Sequence, residues 1–404
     1  MRNERITWRG IALVLCGIVA LAGTARAQTP DTPAAPRFSV GPLLLYPRLE
    51  MREIGIDDNV FNDAENPQRD FTMSITPRLS GDMRNGRVRT TFVTFLDYVY
   101  FQEFESERSL SRSIEGRFET AEGALQPFAM GSMLDANDRV NAEVDARAAR
   151  RHVMYGGGLR LVFASGTSIS LSARRATTNF DEGELFLGVD LSRTMNTRTD
   201  TIDATMRVTL TPLTAWTFTG LLQRDRFDAD SRRDADSVVG STALEFNPSA
   251  LIAGRASVGY RRFTPDDASL PGFTGVIAQV GLIYSYEATR VEGTFEHDLR
   301  YSFQEQQPYY VTTAGRLVFR QRVAGPVDVQ GIVGSTLLRY RQYAAGETEV
   351  RRDRVPLYGG GLGYRLGDTA RLGFNVEWSR RRSDREPDRE YDRRRIYASL
   401  TYGF

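Results

Sequence analysis

The chain ends on Arg395-Ile396-Tyr397-Ala398-Ser399-Leu400-Thr401-Tyr402-Gly403-Phe404. Its side chains sort by parity, because successive residues of a strand point to opposite faces. Ile396, Ala398, Leu400, Tyr402 and Phe404 share one face; Arg395, Tyr397, Ser399, Thr401 and Gly403 share the other. The first face is apolar to its last residue, and no polar tail follows the final aromatic. An ordinary sheet strand of a soluble domain explains the alternation but not the ending, so the rest of the chain has to separate the two readings.

The opposite end bears on the compartment. Arg2, Arg5 and Arg9 precede an apolar run from Ile11 to Leu21, and Ala25-Arg26-Ala27 supplies a small-x-small cleavage site. The run falls short of the ~20 apolar residues that a spanning helix needs. The expected organisation is a cleaved secretory signal over residues 1–27, a short Pro/Ala-rich linker over 28–42 and one folded unit over 43–404. The single cysteine, Cys16, lies inside the apolar run behind Leu15. Leu15 is not the small residue a lipoprotein site requires, and the mature chain has no thiol for disulfide or metal chemistry.

Composition alone suits a soluble protein: 41% hydrophobic residues, 25% charged and a net charge of +1. It equally suits a chain whose strands are apolar only at every second residue. The near balance of charge argues against a general nucleic-acid surface. From about Leu43 onward the chain repeats an alternating run and a connection. Phe71, Met73, Ile75, Pro77 and Leu79 alternate with Thr72, Ser74, Thr76, Arg78 and Ser80. Ile202, Ala204, Met206, Val208 and Leu210 alternate with Asp203, Thr205, Arg207 and Thr209. Helical three- and four-residue spacing is not seen.

The connections alternate in length. Tight turns fall at Asn85-Gly86, Ser165-Gly166, Pro212-Leu213, Asn247-Pro248, Ala288-Thr289, Gly325-Pro326 and Gly367-Asp368. Between them lie longer polar loops near 59–69, 135–149, 180–193, 229–236, 264–272, 344–352 and 384–391. Gly, Pro, Asn and Asp reverse a chain cheaply, which suits the short set. Short turns on one side and long loops on the other predict an all-β fold: a single transmembrane antiparallel β-barrel of about 18 strands (16–18). The turns would be periplasmic and the loops extracellular. Closure is required, since an open edge in hydrocarbon leaves backbone groups unpaired at several kcal/mol each. Tyr98, Tyr100, Trp216, Tyr284, Tyr286, Tyr301 and Trp378 sit toward strand ends, where interfacial girdles are expected. A soluble β-sandwich or propeller is the competing fold, but a propeller should show blade repeats and none is visible.

Gly55-Ile56-Asp57-Asp58-Asn59-Val60-Phe61 follows the first strand. With the strand rhythm and Phe404, this motif makes the mature chain resemble the putative β-barrel porin-2 family of outer-membrane proteins. Its last strand is similar to those recognised by the bacterial barrel-assembly machinery, with Ile396, Leu400, Tyr402 and Phe404 as the signal residues. The resemblance implies an integral barrel of the Gram-negative outer membrane. Members are often linked to exopolysaccharide or capsule export. It supplies no catalytic residues.

Charged residues of the strands should face inward, because arginine facing lipid at the midplane costs ~2–4 kcal/mol. The lumen and selectivity candidates on the earlier strands are Arg78, Arg117, Arg160, Arg174, Arg207 and Arg255. Those on the later strands are Glu292, Glu296, Asp298 and Arg300, then Arg316, Arg320, Arg371 and Glu377. Two readings stay open. The arginines draw small polar or anionic solutes, such as sugars or acidic saccharides, through a channel, or the lining pairs with itself and fills the barrel. Barrels of ~16–18 strands leave an aqueous channel. Glu292, Glu296 and Asp298 face Arg316, Arg320 and Arg322, as a transverse field at a constriction or as cross-strand pairs. No apolar or helical plug is visible, though an extracellular loop could fold inward.

Enzymatic readings are weak. His297 points outward by parity, and His152 beside Arg150 and Arg151 reads as a rim contact. Neither has a serine and an acid at a lipase-like spacing. Two histidines without cysteines make a zinc site improbable, and no cofactor or metal is expected. Asp57, Asp58, Asn59, Asn62, Asp63 and Glu65 offer either calcium ligands or a solvated acidic loop. Arg380-Arg381-Arg382 and Arg393-Arg394-Arg395 flank the last loop, to hold lipopolysaccharide phosphates or to form mutual salt bridges. The expected function is a non-enzymatic passive channel, with outer-membrane lipid and lipopolysaccharide as surroundings and no nucleic-acid partner. The alternative is a barrel serving exopolysaccharide or capsule export, or surface attachment through its loops. Deleting Phe404 is predicted to impair assembly; normal insertion of that variant into the outer membrane would refute the C-terminal-signal reading.

Overall fold

The structure, a computed structural model, describes residues 38–341 and 351–403. The signal at 1–27, residues 28–37 of the linker, most of the 344–352 loop and Phe404 lie outside the described residues. Phe38–Val40 folds back on Leu43–Leu45 through Gly41 at φ +57°, so the linker's end is a short hairpin arm.

Eighteen long strands follow. The first nine are β1 (Leu43–Asp57), β2 (Asp70–Asn85), β3 (Val88–Phe101), β4 (Ser109–Thr120), β5 (Leu125–Arg139), β6 (Arg147–Val162), β7 (Ser168–Phe180), β8 (Thr197–Thr211) and β9 (Thr214–Phe227). The others are β10 (Ala235–Phe246), β11 (Ile252–Pro265), β12 (Phe273–Tyr286), β13 (Thr289–Tyr301), β14 (Tyr309–Ala324), β15 (Val327–Arg341), β16 (Arg352–Leu366), β17 (Ala370–Ser383) and β18 (Tyr391–Tyr402). Each pairs antiparallel with its chain neighbours, and β18 pairs with β1 from Tyr402 opposite Leu49 to Arg395 opposite Asp57. The sheet closes into the expected 18-stranded barrel. Leu110, Ile114 and Phe118 on β4 and Ile202, Met206 and Leu210 on β8 are exposed on its outside. Their polar alternates, such as Ser111 and Thr201, are buried inside.

At one end the connections hold 2–5 residues, at the other 7–16. The turn at 121–124 and the loops at 102–108 and 302–308 escaped the sequence reading. The 135–149 loop is narrower than expected, because β5 runs to Arg139 and β6 starts at Arg147.

Two hairpins leave the wall at the long-loop end. β12 and β13 pair only as far as Ala278 opposite His297, whereas β13 and β14 stay paired to Tyr301 opposite Tyr309. The freed tip leans into the ring. Leu299, Tyr309 and Val311 cluster with Ala235, Phe263 and Phe273 on the inner wall of β10–β12. Tyr301 is therefore no girdle residue: it packs edge-on against Phe227 and Phe263, and its hydroxyl donates to Asp225 at 2.9 Å. Likewise β4 and β5 pair only as far as Arg112 opposite Asp135, while β5 and β6 stay paired to Arg139 opposite Arg147. Arg147 lies over the ring of inward-facing Phe101, and Arg139 donates to the Val60 carbonyl at 2.6 Å.

The closing seam is built to fit. A Cβ at Gly55 would lie 2.0 Å from the Ile396 carbonyl oxygen, so only glycine allows β1 this close to β18. Just above, Arg393 Nε donates to both oxygens of buried Asp57 at 2.9 Å. Asn59, 1% exposed, donates to the Asp392 carbonyl at 3.0 Å. Gly55→Val is expected to abolish the compact, heat-modifiable species seen on unboiled gels. Asp57→Ala is expected to fold but lose about 3–5 kcal/mol, the usual cost of stripping one partner from a buried ion pair, read from the urea midpoint.

Candidate functional site

The inward face near the short-turn end carries guanidinium in excess of carboxylate. Glu119 accepts from Arg117 at 2.9 Å and faces Arg160 at 3.9 Å. Glu245 binds Arg207 at 3.1 Å and Arg255 at 2.8 Å. Asp328, fully buried, binds Arg371 Nε at 3.0 Å and faces Arg365 at 3.8 Å. Each carboxylate is thus bracketed by two arginines from different strands. A cavity of about 500 Å³ opens beside the first of these clusters, lined among others by Asp82, Arg89, Glu119, Gln126 and Arg160.

The other inward candidates stand in smaller groups. Arg174 lies 3.7 Å from Asp203, which also accepts from Ser172 at 2.7 Å. Arg78 lies 6.0 Å from the centre of the Phe95 ring. Glu292 accepts from Arg290 at 2.8 Å, Glu296 from Arg300 at 3.0 Å and Asp298 from Arg261 at 3.2 Å. The acidic row thus pairs with other arginines, not with Arg316, Arg320 and Arg322. Arg320 donates to the neutral Gln330 at 2.8 Å, and Arg316 makes no ion pair among the described residues. Glu377 accepts from Arg395 at 2.7 Å and, by a short bond, from the Tyr397 hydroxyl.

The long-loop end is closed. The β5–β6 hairpin carries Val140-Asn141-Ala142-Glu143-Val144-Asp145-Ala146 across the mouth. Val144 packs with Phe180, Phe186, Leu191 and Phe303, and Ala142 packs against Tyr310, Leu338 and Tyr340 on the far wall. Arginines then fix the loop. Arg381 donates to the Ala142 carbonyl at 2.9 Å and to Asp145 at 3.1 Å. Arg389 donates to the Glu143 carbonyl by a short bond. Arg351, Asp353 and Arg381 are at most 1% exposed, and Arg351 grips Asp353 through two donors at 3.0 and 2.6 Å. Burying such charges costs several kcal/mol per ion unless every partner is present, which explains the density of contacts.

Glu143 stands apart. It is 0% exposed; Ser302 donates to its Oε1 at 2.6 Å, and its Oε2 finds no donor among the described residues. Burial pushes the carboxyl up to about 7, against the hydrogen bond from Ser302 and the pull of Arg389 and Arg351. Of these residues the sequence singled out Arg381, as a lipopolysaccharide or salt-bridge candidate, and it is buried here on Asp145 and Asp353; the alternation of Val140, Ala142, Val144 and Ala146 with polar residues was also there to read.

The remaining sequence candidates resolve simply. His152 is buried and inward with its Nδ1 2.9 Å from the Thr178 hydroxyl, not at the rim, and the His297 ring lies 2.7 Å from the Thr313 hydroxyl. The Asp57–Glu65 oxygens serve the loop itself: Asp63 Oδ1 accepts from the amides of Glu65 and Asn66 at 2.9 and 2.8 Å. No described group of acids and histidines is arranged to hold a metal ion.

Residues 36–404 match the family described as putative beta-barrel porin 2. No curated protein matches the chain. Among solved structures it is similar to OccK2 (OpdF) from Pseudomonas aeruginosa, in complex with glucuronate, with TM-score 0.49, 12% identity and 89% and 98% of the two chains covered. It is also similar to OccK3 (OpdO) from the same organism, with TM-score 0.45, 10% identity and coverages of 89% and 95%. The FrpB iron transporter from Neisseria meningitidis (F3-3 variant) gives TM-score 0.42 at 11% identity over 84% of this chain; the chain spans only 62% of that transporter's length.

The closed mouth should respond to pH through Glu143. Its carboxyl is neutral in closed and solvated states alike below the ordinary value of 4.5. As pH rises from there through about 7, the closed state alone must hold a proton or an unpaired charge, so closure weakens. The differential is on the order of 3 kcal/mol. In planar bilayers, open probability is expected to rise between about pH 5 and about pH 8, and Glu143→Gln to flatten that rise.

Proposed function

The chain belongs to the putative beta-barrel porin 2 family and is a porin-like β-barrel of the bacterial outer membrane; we propose that it is a passive, non-enzymatic channel for small anionic solutes, acidic saccharides among them, gated at its outer mouth. One observation carries this reading. Glu119, Glu245 and Asp328 are each bracketed by two inward arginines, which leaves uncompensated positive charge near the periplasmic entrance. Arginine is always protonated at physiological pH, so this charge is permanent. In a low-dielectric wall around a narrow wet passage, it raises the local concentration of anions and lowers that of cations. Because each carboxylate cancels half the charge of the two guanidiniums around it, a passing anion meets sites of modest strength. Conduction needs that balance, since a solute must leave as readily as it enters. A barrel of ~18 strands is wide enough for an aqueous passage below the inserted loop.

Reversal potentials across a salt gradient test this in planar bilayers. The wild-type channel is expected to prefer anions, and Arg160→Glu combined with Arg207→Glu and Arg371→Glu to invert the preference. Cation selectivity of the wild type, or no conductance even from the Glu143→Gln form at acid and alkaline pH, would refute the proposal.

A further inference from the structure

The outward face of the wall holds a second set of arginines, and its distribution is one-sided. On the described strands every outward arginine lies in the half nearest the long loops. Toward the short turns the outward face carries no arginine and is mainly apolar to the strand ends, as at Leu161, Leu210, Trp216 and Leu366, with the neutral Thr289–Gln321 pair an exception. A wall that needed only solubilising charge beyond the hydrocarbon would show it at both ends. The asymmetry points to a difference between the two leaflets.

The set is densest on β15–β18. Arg339, Arg352, Arg354, Arg380 and Arg394 are exposed there, with Arg382 half-buried beside them. Asp392 takes Arg382 at 3.0 Å and Arg380 at shorter range, and Asp58 takes Arg394 at 3.5 Å. Arg339, Arg352 and Arg354 make no ion pair among the described residues. Register makes this costly: Arg339 stands directly opposite Arg352, and Arg354 directly opposite Arg382. Like charges facing each other across a strand pair are destabilising unless an anion lies between them. One outward step below Arg380, about 7 Å along the strand, Trp378 stacks on Tyr358 with ring centres 5.6 Å apart at 15°. Leu362 and Phe374 continue the apolar surface below. A field of guanidinium thus sits directly above an aromatic plate and an apolar wall.

We propose that this face of β15–β18 is a docking surface for a phosphorylated, multiply acylated lipid of the outer leaflet, lipopolysaccharide. Arg339, Arg352 and Arg354 hold its headgroup phosphates, and the Tyr358–Trp378 plate receives the start of its acyl chains. Charge complementarity favours phosphate over carboxylate, because a phosphate carries up to about two negative charges and three acceptor oxygens, so several arginines can share one group. The apolar plate below favours a lipid over a free anion. The same logic extends around the rim, where Asp135 lies between Arg112 and Arg151 at 2.7 and 2.6 Å and again leaves one guanidinium in excess. None of this depends on whether the barrel conducts.

Titration of the purified full-length barrel in detergent tests the assignment, with Trp378 fluorescence and native mass spectrometry as readouts. Bis-phosphorylated lipid A is expected to bind at least about tenfold more tightly than the same lipid after phosphatase treatment, in line with several charge-assisted bonds. Arg339→Gln with Arg352→Gln and Arg354→Gln should erase that preference while the heat-modifiable folded species persists. Should the triple variant not fold, Arg354→Gln alone, which breaks no ion pair among the described residues, is expected to cost about threefold. Equal affinity for the two lipids would overturn the proposal. So would phosphate-dependent binding that the arginine variants leave untouched, or displacement of the lipid by an equal concentration of inorganic phosphate.

Discussion

A backbone amide or carbonyl left unpaired in hydrocarbon costs several kcal/mol, so a sheet spanning a membrane must have no edge. In this chain that requirement falls on one seam, where β18 meets β1 across nearly the whole length of the sequence. The seam's unusual features all serve close approach. Gly55 leaves room for the Ile396 carbonyl, and Gly403, at φ +93°, leaves room for the Pro47 carbonyl. A register shift between Met51 and Ile54, with Glu53 at φ +56°, lets β1 bend to meet its partner. The Asp57–Phe61 segment then staples the outer end: Asp57 to Arg393, Asp58 to the Arg394 amide and Asn59 to the Asp392 carbonyl. Its acids Asp57 and Asp58 are thus engaged in holding the seam.

The same constraint governs where pairing is allowed to stop. At the long-loop end the wall opens in two places, between β4 and β5 and between β12 and β13. There side chains and water can take over the freed backbone groups, as the Ser111 hydroxyl does for the Asn137 amide at 3.1 Å. Each freed hairpin tip turns inward and buries residues whose parity would otherwise aim them outward, Tyr301 and Arg147 among them. The mouth is therefore closed by the wall's own strands together with the loops they carry.

These facts mark how far the sequence could be read. Period-two alternation, the tight-turn residues and the alternation of connection lengths are local signals, and they led to the barrel and its eighteen strands. The inward placement of Arg207 or Glu377 follows from the same parity. Their pairing does not, because it depends on register across strands. The Glu245 cluster needs β8, β10 and β11 aligned, and Arg395 meets Glu377 across β17 and β18. The mouth was less legible still. Arg381 and Asp145 are 236 residues apart, and Ser302 and Glu143 are 159 apart. No local pattern announces such contacts. Tyr301 misled because strand-end aromatics usually mark an interface, and here the strand leaves the wall before its end.

The charges at the mouth divide into a fixed and a movable part, and that division bears on opening. Asp353 keeps Arg351 and Arg381 whether or not the 140–146 loop is present, since all three belong to β16, β17 and the residue beside them. Withdrawal of the loop takes Asp145 and the Ala142 carbonyl from Arg381 but leaves it one carboxylate, and it returns Arg389 and Glu143 to water. No charge is stranded unpaired in a dry interior, which is the outcome that makes breaking a buried ion pair so costly. What withdrawal does cost is the packing of Val144 among Phe180, Phe186, Leu191 and Phe303, together with Ala142 against Tyr340. Full burial of a side chain the size of valine is worth about 1.5–3 kcal/mol. The mouth is thus held by a small apolar contact and a few charged bonds that water can replace, while the seam that closes the barrel is built from contacts that hydrocarbon cannot.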